Sequence, residues 1–142
     1  MSGMITAHFS WEEAACHDGS PVPMGLRPNA MALALVLERI RGRLGHALVP
    51  VSWYRPPRYN ARVGGAKGSQ HMQGWAADVR PADLRDLQGL ILEVESMIHR
   101  GDLPELGGWG IYPTWVHIDL RERPTSGHIA FWRGPGVGSE QA

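Results

Sequence analysis

The chain has 142 residues, 43% of them hydrophobic and 20% charged, a balance that suits one ordinary globular domain around a single core. Fourteen Lys and Arg offset fourteen Asp and Glu, which argues against a nucleic-acid footprint or an anionic-membrane binder, since either needs a basic surplus. The single cysteine, Cys16, excludes an intrachain disulfide; it reads as a small buried hydrophobe, with a nucleophilic role as the alternative.

Residues 1–9 read as a loose or strand-like leader. No basic stretch followed by an apolar run marks a signal peptide there, and no apolar stretch reaches membrane-spanning length. Ser10 followed by Glu13 is a capping box and predicts a short helix from Trp11 to about Cys16. Turn and irregular chain follow to Pro28, and His8 and His17 in this region read as exposed, solvated histidines. Over residues 29–44, Leu33, Val36, Leu37, Ile40 and Leu44 recur at helical spacing, and Gly45 supplies a C-terminal cap.

Residues 47–53 predict a strand, and Pro50 within it points to an edge position. A short helical turn over 58–63 leads into a glycine-rich loop, 64–68, whose spacing is wrong for phosphate binding. Residues 74–79 predict a strand carrying Asp78. The second long helix is expected to start at Pro81-Ala82-Asp83, to bury Leu84, Leu87, Ile91, Val94 and Ile98, and to end at Gly101. Glu93 and Glu95 within it are two apart, point to different faces and read as solvated charges. Strands over 109–112 and 115–120 follow; alternation along the second puts His117 and Asp119 on one face. Residues 128–132 suggest an edge strand. The expected fold is a single α+β domain over residues 1–133, with two long helices on a mainly antiparallel sheet, and residues 134–142 have the composition of a disordered tail.

Chemistry concentrates in two places. Residues 69–78 hold His71 and Asp78 with small residues, Gly74, Ala76 and Ala77, between them; a later strand supplies His117. Two neutral imidazoles and one carboxylate suit a single Zn²⁺, and three protein ligands leave a position open for water, as in catalytic sites. The alternative on residue type alone is a surface histidine, a capping aspartate and a hydrogen-bonded core histidine.

The pattern Ser69-x-His71-x-x-Gly74-x-Ala76-x-Asp78, followed by Trp115-Val116-His117, resembles the zinc D-alanyl-D-alanine carboxypeptidase family. Its relatives include phage L-alanyl-D-glutamate endolysins and murein endopeptidases, and they share a fold with the hedgehog signalling domain. The likeness extends to Ser52-Trp53-Tyr54-Arg55-Pro56 with Asn60, to residues 63–67 and to residues 107–119.

The resemblance implies that His71, Asp78 and His117 are the zinc ligands and that Arg55 is the cation near the scissile group. A strand-end salt bridge is the alternative for Arg55. Ser69 and Gln70 are expected at the substrate wall, with Tyr112 and His128 as further candidates for water or substrate contact. The family's proton acceptor falls at positions 114 or 115, which here are Thr114 and Trp115. Asp119 is the nearest ionisable substitute, and an ion pair with Arg121 is its competing role.

The expected function is a zinc peptidase cutting peptidoglycan stem or cross-link peptides, acting as a monomer on the cell wall, outside the cytoplasm or released from a phage. No contact with nucleic acid and no membrane insertion are expected. A zinc-containing binding module without hydrolytic activity is the rival reading.

Overall fold

The computed structural model describes residues 3–137 and shows one α+β domain. A five-stranded sheet runs in the order β1-β2-β4-β3-β5. Its strands are β1 (Leu48–Ser52), β2 (Ala76–Pro81), β3 (Gly108–Ile111), β4 (Val116–Asp119) and β5 (Ala130–Arg133). The first three pairings are antiparallel, whereas β5 lies parallel to β3. The sheet is therefore mainly antiparallel, with one parallel edge.

Two long helices, α2 (Arg27–Leu44) and α4 (Leu87–Arg100), pack together and complete the core. Helix α2 buries Leu33, Val36, Leu37 and Ile40 and ends on Gly45 at φ 83°, whose N–H donates to the Arg41 carbonyl. Helix α4 buries Leu90, Ile91, Val94 and Met97 and ends on Gly101 in the same left-handed conformation. The predicted capping box is present on the single-turn helix α1 (Trp11–Ala14). A further short helix, α3 (Pro57–Arg62), follows β1. No helix among the described residues is long and apolar enough to cross a membrane.

Alternation along the strands sorts the sheet into two faces. Ala77 and Val79 of β2, Val116 and Ile118 of β4, and Trp109 and Ile111 of β3 belong to the apolar core. Asp78 pairs with His117, His117 with Gly110, and Asp119 with both Ala76 and Gly108. The second face thus gathers the polar residues of β2 and β4 beside small ones. One residue of slip would exchange the two sets, so burial of the apolar face holds the chemical face in register.

Several predicted boundaries shift, most of all around β2 and α4. Strand β2 begins at Ala76 because Gly74, at φ 79°, closes the 3-10 turn Gln70–Gln73. Pro81 stays in the sheet opposite Leu48, and Asp83 then caps a 3-10 turn, Leu84–Asp86, so α4 starts later than its apolar stripe suggests. Pro50 sits on the outer strand β1, where its missing N–H breaks no inner ladder.

Glu93 faces Arg43 and Arg100, while Glu95 accepts from Trp109 Nε1, so the two glutamates serve separate partners. His8 is exposed but pairs with Glu38 at 2.8 Å, which ties the N-terminal strap to α2. Of the predicted tail, Gly134 donates its N–H to the Ile111 carbonyl and Val137 packs on the core; residues 138–142 lie outside the described residues.

Candidate metal centre

His71 is fixed by the chain around it. The Ser69 hydroxyl accepts its backbone N–H at 3.2 Å, and its carbonyl accepts the Arg55 N–H at 3.1 Å. Its Nδ1 lies 2.7 Å from the carbonyl of Trp53, a contact that requires Nδ1 to carry the proton. Trp53 is itself buried and donates its indole N–H to the Gly74 carbonyl. Nε2 of His71 is therefore bare, and it faces Asp78 Oδ2 at 3.4 Å.

His117 is held from the opposite end of its ring. Its Nε2 lies 2.8 Å from Asp119 Oδ2, and its Nδ1 lies 3.0 Å from Asp78 Oδ1. Asp119 is fully buried. Its carboxylate also accepts the backbone N–H and the forked guanidinium of Arg121. Such a paired, acceptor-only group makes Nε2 the protonated nitrogen of His117 and leaves Nδ1 for a metal.

The ligand atoms of His71, Asp78 and His117 all lie within 4.8 Å of one another, and all three residues are buried. Donors bound at about 2.0–2.1 Å to a tetrahedral ion sit roughly 3.3 Å apart, close to the 3.0 and 3.4 Å separations here. The donor set, the spacing and the two outer hydrogen bonds fit zinc.

Electrostatics follow from the same contacts. Burial alone would raise the Asp78 pKa, but its close contacts with the His117 and His71 imidazoles hold it well below the usual carboxylate range. Burial works to lower the His117 pKa, and the Asp119 and Asp78 carboxylates outweigh it, so the imidazole sits above its ordinary value. Asp119 is likewise held low against its burial, by His117 and Arg121.

A cleft of about 540 Å³ opens onto the three residues. Ser69 and Gln70 line it, and Gln70 is anchored by the Trp75 indole at 2.6 Å. Arg55 reaches it with Nη2 3.6 Å from Asp78 Oδ2, while Nη1 and Nε contact Asn60 and Ser52 at 3.3 Å. Tyr112, Trp115, Arg121 and Trp132 complete one wall.

Other candidates change place. Asp119 lies behind His117 with its oxygens engaged by His117 and Arg121, a placement that suits a positioning residue better than the proton acceptor expected from sequence. His128 is exposed on a loop and does not line the cleft. Cys16 is buried away from the cleft, with burial pushing its thiol up. Thr114 is exposed, and Trp115 stacks on Tyr112 with ring centroids 4.8 Å apart.

A family model described as Peptidase M15 matches residues 4–119, a span that takes in all three clustered residues. The chain belongs to the Peptidase M15 family. This peptidase is accordingly a metallopeptidase, a hydrolase whose His-Asp-His cluster could hold the metal. No curated protein matches the chain.

Two wall residues of this M15 peptidase, Arg121 and Trp132, lie beyond the matched span, and Trp132 was not among the residues singled out by sequence. The signal that could have found Trp132 is the second glycine of Gly108-x-Gly110. A Cβ at Gly108 would lie 2.3 Å from Asp119 Oδ2, and one at Gly110 would lie 2.6 Å from the Trp132 ring. Gly108 clears space for Asp119, which braces His117, and Gly110 clears space for Trp132.

Proposed function

We propose that this M15 peptidase is a zinc-dependent enzyme that hydrolyses amide bonds in peptidoglycan stem or cross-link peptides, on the cell wall or after release from a phage. The observation that carries the hydrolytic reading is the geometry at the cleft floor. Bare Nε2 of His71, bare Nδ1 of His117 and the Asp78 carboxylate face one another beneath an open cleft. The murein substrate is supported by the likeness of residues 52–56, 69–78 and 107–119 to murein-cutting members of the family. When bound by these residues, zinc supplies a Lewis acid for the amide carbonyl and lowers the pKa of a bound water toward 7.

The chain's own contribution is orientation. Trp53 and Asp119 set the two imidazole tautomers, so the ligands need no rearrangement. Arg55, steadied by Ser52 and Asn60, presents a fixed fork of donors for the charge that develops on a carbonyl oxygen or for a substrate carboxylate. Asn60 in turn donates to the Ala66 carbonyl and so fastens the glycine-rich loop to the cleft rim.

Asp119→Asn is expected to weaken zinc binding roughly 10–100-fold, the usual effect of losing a group that orients a ligating histidine. Competition with a chromophoric chelator measures it. Wild-type zinc affinity combined with lost turnover would return Asp119 to the role of proton acceptor.

A second reading has one observation in its favour. Apart from the three clustered residues, no carboxylate or imidazole lines the cleft among the described residues. On that reading the domain binds murein without cutting it. Digestion of defined muropeptides, with and without chelator, separates the two. Zinc-dependent products detected by mass spectrometry are expected. Retention on sacculi with no product formed would support the binding module instead.

A further inference from the structure

We infer that the Tyr112 hydroxyl is a second catalytic hydrogen-bond donor in the cleft, held in place by Trp132. The argument starts from hydrogen-bond capacity. An indole N–H can only donate, and Trp132 Nε1 lies 2.9 Å from the Tyr112 oxygen. The phenol therefore spends a lone pair on Trp132 and keeps its own proton. Among the described residues no acceptor takes that proton, and Tyr112 lines the same cleft as His71, Asp78 and His117.

The arrangement is built rather than incidental. The Tyr112 ring is stacked on Trp115 with an interplanar angle of 8°. A Cβ at Gly134 would lie 2.2 Å from the Tyr112 ring, so only glycine lets the ring lie there. Trp132 is seated over Gly110, its ring centroid is 5.1 Å from that of His117, and the Arg121 guanidinium sits 5.2 Å over it. Trp115, Gly134 and Trp132 thus fix one hydroxyl.

Position matters as much as rigidity. Arg55 approaches the clustered residues from the Asp78 side, whereas Trp132 brings the phenol in from the His117 side. A donor fixed before reaction needs no reorganisation when charge builds on the scissile carbonyl oxygen, and that gives it its leverage. Trp115 stands where the family resemblance places a proton acceptor; in this chain the position is used to hold Tyr112. No proton is transferred in this role. The phenol stays protonated and donates a hydrogen bond.

The inference rests on the metallopeptidase reaction, not on murein as the substrate. The test compares zinc-loaded wild type, Tyr112→Phe, Trp132→Phe and the double variant on murein sacculi and on a panel of unrelated peptides. Zinc content and melting temperature are measured alongside. Tyr112→Phe, which keeps the ring stack, should lose about 100-fold or more in kcat with KM within about twofold.

Trp132→Phe should lose about tenfold by letting the donor swing out of line. In the Tyr112→Phe background the same change should cost nothing more. Unchanged kcat in folded, zinc-loaded Tyr112→Phe would overturn the inference, as would a rise in KM alone. An equal cost of Trp132→Phe in both backgrounds would remove Trp132 as the positioning residue. Turnover of the panel but not of murein would end the murein proposal while the variant comparison still decides Tyr112. Absence of turnover on both substrates would overturn both.

Discussion

His71→Ala is expected to take bound zinc from one ion per chain to near none and to lower turnover by about three powers of ten or more. The size of the effect follows from what a Lewis acid contributes to amide hydrolysis, several kcal/mol of the barrier, at about 1.4 kcal/mol per tenfold. With the imidazole gone, only Asp78 and His117 remain of the cluster, and two ligands do not make a three-ligand site. The Trp53 carbonyl also loses its imidazole partner inside the fold, so some stability should go with it, on the order of 1–3 kcal/mol. Metal analysis of the purified variant, with circular dichroism to confirm the fold, gives the answer. Full zinc occupancy in a folded His71→Ala protein would show that the ion is held elsewhere.

Gly107→Ala should be the most damaging single methyl in the domain. A Cβ at Gly107 would lie 1.8 Å from the Arg121 carbonyl oxygen and 2.7 Å from its carbon, and both are backbone atoms. Nothing flexible can give way. Gly107 is also tied on both sides, by its N–H to the Asp119 carbonyl and by its carbonyl to the Ala130 N–H, each at 2.9 Å. Relief of the clash must therefore open the sheet beside β4 or β5. We expect a loss of about 3 kcal/mol or more, or roughly 10 °C in melting temperature for a domain of this size. Gly89→Ala, on the exposed face of α4 with nothing within 4 Å, should instead raise stability by about 1 kcal/mol. Thermal melts of the two proteins side by side check both. Equal melting temperatures would mean that the strands around Gly107 are free to part.

Much of this architecture can be read from the chain because it is local. The apolar stripes of α2 and α4, their closing glycines Gly45 and Gly101, and the Ser10–Glu13 box are patterns within one or two turns. Pro50 on the outer strand follows from the chemistry of a missing N–H. The parallel placement of β5 could not be read, because it depends on a crossover that no turn residue encodes.

The site divides in the same way. His71 and Asp78 stand in one short motif, and alternation along β4 correctly put Asp119 on the His117 side. What spacing cannot show is how a carboxylate spends its oxygens. Arg121, two residues further on, folds back onto Asp119 and closes it off. Trp132 was invisible for a related reason: its place is set by β3, on which Gly110 stands bare beneath it.

The hydrogen bonds behind the two imidazoles bear on how the site is assembled. With the Trp53 carbonyl holding one ring and Asp119 bracing the other from behind, the chain's own hydrogen bonds shape the seat, unlike small domains that acquire a shape only around their ion.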